Sequence, residues 1–103
     1  MTLPPHVRAY RRTPEFDAHS VPPGLLRDHA TKDGVWGLVH VTEGRLAYRI
    51  TDPRRAPAER VLTPDAAPGV VEPTILHLVE PLGPVRFFVE FHRAPEDGAP
   101  HPR

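Results

Sequence analysis

Alternating apolar and polar positions in two segments of the chain predict β-strands. In residues 35–42 every second side chain is small or β-branched, and the segment VRFFVEFHR (residues 85–93) repeats the alternation with larger groups. Successive side chains of a strand point to opposite faces, so one face of each segment is predicted to be interior. The predicted interior residues are Val35, Gly37, Val39 and Val41 in the first segment and Val85, Phe87, Val89 and Phe91 in the second. His40 and His92 fall on the opposite faces.

Turn signals divide the rest of the chain into short elements. A strand is predicted in GLLRDHA (residues 24–30), followed by a turn at KDG (32–34). A tight hairpin at Glu43–Gly44 is predicted to join strands 35–42 and 46–50, and PLGP (81–84) is predicted to be a turn. Residues 51–59 are predicted to form a surface loop, with further strands at 60–63, near 69–72 and at 74–80.

The fold class predicted from these elements is all-β, with seven to nine strands in a sandwich or barrel. The 15 prolines among 103 residues support this class, because proline is excluded from helix interiors. The length suits one domain. We expect an N-terminal arm at 1–14, in which an edge strand is an alternative, a domain at 15–93, and a disordered tail at 94–103.

Composition excludes several function classes. The chain has no cysteine, so a metal site would use nitrogen and oxygen ligands. Thirteen basic and 13 acidic residues balance, which argues against nucleic acid as a partner. No apolar run is long enough for a membrane span, and no signal peptide is evident, so we expect a soluble cytoplasmic protein. The motifs of phosphate-binding loops and nucleophilic hydrolases are absent.

Two of the seven histidines are candidate functional residues. His29 shares a face of its predicted strand with Leu25, and His77 shares a face with Ile75 and Val79, so both are predicted to point inward. A buried imidazole needs a partner. Two explanations stay open: a hydrogen bond to Glu80, Tyr48 or a backbone carbonyl, and a divalent metal shared by the two rings.

Three blocks of the sequence resemble a known family. They are DHATKDGVWGLVHVTEGRL (28–46), TPDAAPGVVEPTILHLVE (63–80) and FFVEFHR (87–93). In this order they resemble the TehB/YeaR-like family of small cupin-like domains, which occur alone or ahead of a methyltransferase in tellurite-resistance proteins. The resemblance runs from about Val7 to Arg93. It implies a cupin-like double-stranded β-helix, which is a conical antiparallel barrel or jelly roll, and a homodimer.

The resemblance also implies a metal site inside the barrel. His29 corresponds to a histidine of the first cupin motif and His77 to the histidine of the second. The chain departs from the pattern where a carboxylate and another histidine are expected, at Gly37 and near Lys32. Two imidazoles would need water or a further side chain to hold zinc, iron or nickel. Arg27 and Tyr48 are predicted to contact a ligand at the mouth of the barrel.

The leading hypothesis is a stand-alone cupin-like domain that binds a divalent metal and a small molecule or oxyanion. The resemblance connects this activity with tellurite or with oxidative and nitrosative stress. One alternative is a metal-dependent oxygenase or isomerase. Another is a metal-free dimeric module for sensing or interaction. No methyl transfer is expected from these residues, because they lack the βαβ pattern of a nucleotide-binding domain.

Overall fold

The computed structural model describes residues 2–95, and Met1 and residues 96–103 lie outside that range. Within it, six strands and one short 3-10 helix alternate with turns. In chain order the elements are β1 (Arg8–Arg12), β2 (Phe16–Asp17), the 3-10 helix (Pro23–Leu26), β3 (Trp36–Ile50), β4 (Ala58–Leu62), β5 (Gly69–Val71) and β6 (His77–Arg93). The prediction of an all-β, antiparallel fold is confirmed.

The long strands β3 and β6 form the centre of the fold. They pair antiparallel along nearly their whole lengths, from Trp36 opposite His92 to Ile50 opposite His77. The register shifts twice near the middle of β3, between Val41 and Glu43 and between Gly44 and Leu46. Such bulges bend a strand and increase its twist. The paired strands therefore bend together without ending.

This pairing corrects two predicted turns. Glu43–Gly44 does not form a hairpin, because Gly44 lies inside β3 opposite Val85. PLGP (81–84) is likewise inside β6. Gly44 and Gly83 have φ values of 79° and 99°, a left-handed conformation that glycine adopts in bulges as readily as in turns. The predicted strands 35–42 and 46–50 are two halves of one strand, and each half pairs with β6.

Shorter strands extend the sheet on both sides of the central pair. The order is β1-β6-β3-β4, while β2 also pairs with β6 and β5 also pairs with β3. Residues 37–39 of β3 pair with β5, and residues 46–50 pair with β4. Six strands are thus present in the described residues, fewer than predicted. The predicted strand at 24–30 is replaced by the 3-10 helix and a single bridge at His29.

The core lies on the face predicted by the alternating pattern. Val39 and Val41 of β3 and Val85 and Phe87 of β6 are buried, and Phe87 has no exposed surface. Leu46, Leu62 and Val71 complete the most enclosed part of the core. The β2 residue Phe16 packs edge-on against Phe87, with ring centroids 5.7 Å apart. The two-residue period therefore identified the buried faces of both long strands.

The ends of the chain were predicted as an arm and a tail. Within the predicted arm, residues 8–12 form β1, the edge strand that was the alternative there. The predicted tail lies outside the described residues from residue 96 onwards. No helix among residues 2–95 has the length and apolar character needed to cross a membrane.

Candidate functional site

His29 and His77 are brought into direct contact. They form an isolated antiparallel bridge in which each backbone N–H donates to the other residue's carbonyl, at 3.0 and 2.9 Å. Their ring centroids are 4.1 Å apart, and the ring planes are tilted by 56°. The two residues are 48 positions apart in the sequence. They meet because the start of β6 folds back onto the segment that follows the 3-10 helix.

Hydrogen bonds determine which nitrogen of each ring carries the proton. Nδ1 of His29 lies 3.0 Å from the carbonyl of Arg27, and Nδ1 of His77 lies 3.1 Å from the carbonyl of Ile75. A carbonyl only accepts, so each Nδ1–H donates. In a neutral ring with this tautomer Nε2 keeps its lone pair, and no hydrogen bond to either Nε2 is formed within residues 2–95. The same arrangement orients histidines that bind metals through Nε2.

Burial keeps His77 neutral. The residue is 4% exposed, and this burial lowers its pKa from 6.5 to about 4. The nearby His29 lowers it further, against the opposing effect of the hydrogen bond to Ile75. Tyr48 packs edge-on against His77, with ring centroids 5.6 Å apart. At neutral pH the His77 ring is therefore uncharged.

The segment that carries His29 is held by side-chain and backbone bonds on either side of the histidine. The Thr51 hydroxyl donates to the carboxylate of Asp28 at 2.8 Å. Two residues after His29, the carbonyl of Thr31 accepts from the N–H of Thr74 at 3.1 Å. These bonds position His29 although it lies outside a regular strand.

A buried carboxylate, Asp52, holds the residues that precede His77. Asp52 is 3% exposed and accepts hydrogen bonds from the N–H of Leu76 at 2.9 Å and from the guanidinium of Arg54 at 2.8 and 2.9 Å. The Arg54 guanidinium and the backbone N–H groups of Leu76 and Arg54 hold the pKa of Asp52 well below its usual range. Arg54 also donates to the carbonyl of Thr74. The loop at 51–59 was predicted to be at the surface, and this network was missed.

The two histidines form part of the wall of a cavity of about 570 Å³. Its deep end is buried and almost entirely apolar, and its rim is exposed to solvent. A cavity of this size is within the range that binds small molecules. The buried lining residues are Val39, Val71, His77, Val79 and Phe87, and the exposed ones are Tyr10, Arg11, Pro22, Ala30 and Lys32.

Three basic side chains lie at or near this rim. Arg11 comes from the edge strand β1, Lys32 from the turn before β3, and Arg93 from the end of β6. The guanidinium of Arg93 stacks on the ring of Tyr10, 3.9 Å from its centroid. Among the described residues that line the cavity there is no carboxylate. The rim is therefore electropositive.

Arg27 and Tyr48, predicted to contact a ligand, lie elsewhere. Neither belongs to the described lining of the cavity. The Tyr48 hydroxyl donates to the carbonyl of Val70 at 2.9 Å, and burial raises the pKa of Tyr48 to about 12. Arg27 is exposed, and its backbone carbonyl accepts the hydrogen bond from Nδ1 of His29. Arg11 and Lys32 occupy the rim instead, and the sequence offered no signal that would select them from the other basic residues.

The outward histidines form a separate cluster on the other face of the sheet. His40 stacks on Phe88, with ring centroids 4.8 Å apart, and Nε2 of His92 lies 2.9 Å from the carboxylate of Glu90. Nε2 of His40 is 3.7 Å from the same carboxylate. Neither histidine lines the cavity, as the alternation predicted.

Comparison with known proteins identifies the family. A family model for the TehB-like domain matches residues 11–89. The chain belongs to this family. Two curated relatives are described as probable S-adenosyl-L-methionine-dependent methyltransferases TehB, from Haemophilus influenzae strains KW20 / Rd and 10810. They are 34% and 32% identical to the chain over 74 residues, which is 71% of the chain but 26% of each relative. The chain thus spans about a quarter of these relatives' length.

Solved structures have the same fold. The crystal structure of TehB from Haemophilus influenzae superposes with a TM-score of 0.81 at 27% identity, covering 90% of this chain and 33% of that one. A crystal structure of a protein from E. coli (strain K12) also gives 0.81, at 23% identity, and covers 93% of this chain and 99% of that one. The second likeness supports the fold alone.

Proposed function

We propose that this TehB-like domain binds a small molecule or oxyanion in its cavity, beside a divalent metal held by His29 and His77. The observation that carries the proposal is the contact between these two rings, whose centroids are 4.1 Å apart on the wall of the cavity. Both rings are oriented by backbone carbonyls at Nδ1, which leaves Nε2 as the nitrogen that would bind a metal.

Two imidazoles would supply two ligands to a metal ion and leave its other coordination positions open. Within residues 2–95 no group of three or more His, Cys, Asp or Glu residues is arranged to hold a metal. A divalent ion here would therefore keep positions for water or for an oxygen of the bound molecule. Zinc, iron and nickel all accept neutral imidazole. When bound, the ion would supply a Lewis acid beside the deep, apolar end of the cavity.

The other residues of the cavity bind and orient the second ligand. Lys32 and Arg11 attract an anionic group to the rim, and the valines of β3, β5 and β6 exclude water from the deep end. Asp52 and Thr51 keep the two histidine segments in register through their bonds to Leu76 and Asp28. A link to tellurite, or to oxidative or nitrosative stress, is part of this proposal and is supported by membership in the TehB-like family. The cupin-like homodimer and the cytoplasmic location also stay predictions.

Metal titration tests the proposal. Chelator-treated protein should bind Ni²⁺ or Zn²⁺ with a stoichiometry of about one per chain in isothermal titration calorimetry. His29→Asn and His77→Asn should each weaken binding by about tenfold or more, because each removes one of the two ligating nitrogens. Asparagine keeps an amide N–H near the position of Nδ1, so the bonds to Arg27 and Ile75 are conserved as far as the shorter side chain allows.

The matched control is His19→Asn, which changes an exposed histidine outside the cavity. This variant should bind metal as the unaltered chain does. Equal binding by all four proteins, or no saturable binding in the unaltered chain, would exclude the metal site and favour the metal-free module.

A further inference from the structure

The cavity combines an apolar interior with a basic rim. Five valine and phenylalanine side chains from β3, β5 and β6 surround the deep end of the cavity. Within the described lining, the ionisable groups at that end are the two imidazoles. The deep residues with apolar side chains are Val39, Val71, Val79, Phe87 and Val89. A surface of this kind is matched by a hydrocarbon or aryl group, because burying apolar area is favourable and burying an unpaired ion is costly.

Two of the rim cations have no partner of opposite charge in the described part of the chain. No ion pair or side-chain hydrogen bond of residues 2–95 involves Arg11 or Lys32. Several arginines elsewhere are paired: Arg49 with Glu59 and Glu80, Arg55 with Glu72, and Arg86 with Glu15 and Glu43. The rim of the cavity therefore presents positive charge that nothing in the described residues neutralises.

We infer that the molecule bound in this cavity is an amphipathic carboxylate, with an apolar body of about eight carbons or more and one carboxylate at the rim. This inference rests on the proposed function and names its ligand class. The apolar body lies against Val39, Val79 and Phe87, and the carboxylate pairs with Arg11 and Lys32. The whole cavity has a volume of about 570 Å³. A bare inorganic oxyanion would neutralise the charge at the rim but would leave the apolar part of this volume unfilled.

Three probes separate the contributions of body and charge. Octanoate carries both, 1-octanol carries the body alone, and acetate carries the charge alone. Each is titrated into the full chain in the presence of a chelator, so that a metal at His29 and His77 does not contribute. Octanoate should bind about tenfold tighter than acetate or more, because each buried methylene adds affinity. It should also bind tighter than 1-octanol, and added salt should reduce that difference.

Charge removal tests the rim. The double variant Arg11→Gln, Lys32→Gln should weaken octanoate about three- to tenfold and leave 1-octanol within about twofold. Both side chains are exposed, so the variant should fold normally. The control is Arg45→Gln, an exposed arginine of β3 outside the described lining, which should alter neither affinity.

Three results would overturn the inference. Acetate could bind as tightly as octanoate, the double variant could bind octanoate unchanged, or octanoate could show no saturable binding at millimolar concentrations. Each is independent of the Ni²⁺ titration of His29 and His77, so failure of the ligand class and failure of the metal site give different outcomes.

Discussion

Gly44 lies against the backbone of Pro84 at the point where β3 and β6 bend together. A Cβ built on Gly44 would overlap the carbonyl oxygen of Pro84 and crowd the Cα of Val85. Gly44 also has a φ of 79°, which side chains other than glycine rarely adopt. The bend that wraps the long strand pair around the core therefore requires glycine at this position.

Replacing this glycine should destabilise the fold. Gly44→Ala should lower the free energy of unfolding by about 2 kcal/mol or more, since it adds both a steric overlap and an unfavourable φ. Urea denaturation followed by circular dichroism measures the change. Gly24→Ala is the control, because Gly24 has open space around its Cα and should tolerate alanine with little change. Equal stability of Gly44→Ala and the unaltered chain would refute the bend geometry.

Two neighbouring phenylalanines test the assignment of faces. Phe87 is fully buried, whereas Phe88 lies on the opposite face under Arg12, whose guanidinium is 4.0 Å from the ring centroid. Phe87→Ala should cost about 3–5 kcal/mol, the usual range for a core aromatic. Phe88→Ala should cost clearly less, because its ring is only partly enclosed. Chemical denaturation measures both values. If the two faces were exchanged, Phe88→Ala would cost more than Phe87→Ala.

Burial of neutral His77 should make stability depend on pH. The pKa of His77 is lowered to about 4 in the folded chain, against an ordinary value of 6.5. As pH falls from 6.5, the unfolded state takes up the proton first, so the free energy of unfolding decreases. The decrease levels off near pH 4, after a total of about 3 kcal/mol.

The comparison that isolates this effect uses chelator-treated protein and His77→Asn. Between pH 6.5 and pH 4 the unaltered chain should lose more stability than the variant, because asparagine does not titrate. Parallel curves for the two proteins would show that His77 titrates normally in the folded state.

Asp52 should matter for stability and for the site. Its pKa is held below the usual range by Arg54 and by the N–H groups of Leu76 and Arg54. Its contribution is therefore present above the ordinary carboxyl pKa and is lost as pH falls below about 4. Asp52→Asn should lower Tm at pH 7. It should also weaken metal binding, because Asp52 holds the backbone of Leu76, the residue directly before His77. The exposed Asp65→Asn is the control, and an unchanged Tm in Asp52→Asn would contradict the role of the network.

The alternating pattern predicted which side chains face the interior, because that depends on the two-residue period of a strand. It missed the bulges, because they depend on which strands pair. Val39 and Phe87 face the interior as their parity required. Gly44 and Gly83 were interpreted as turns because the left-handed conformation that a bulge needs is the same one that a turn needs. Only the pairing of β3 with β6 distinguishes the two, and that pairing joins residues distant in sequence.

The candidate site was predicted in part. His29 and His77 were selected by residue type, position and family resemblance, and the structure brings their rings together. Arg11 and Lys32 were not selected because only the folded chain brings β1, paired with β6, and the turn before β3 to one rim. Asp52 had a local signal that was overlooked: its carboxylate accepts the N–H of Arg54 two residues later, as in an Asx turn.

The central claim is that His29 and His77 bind a metal through Nε2 while Nδ1 stays protonated. Long-range proton–nitrogen NMR spectra of the imidazole rings, recorded at neutral pH before and after one equivalent of Zn²⁺, test it most directly. The account predicts the Nδ1–H tautomer in both rings beforehand and a large shift of Nε2 in these two histidines alone afterwards. Zinc-induced shifts at His40 or His92 instead, or an unprotonated Nδ1 in His77, would contradict it.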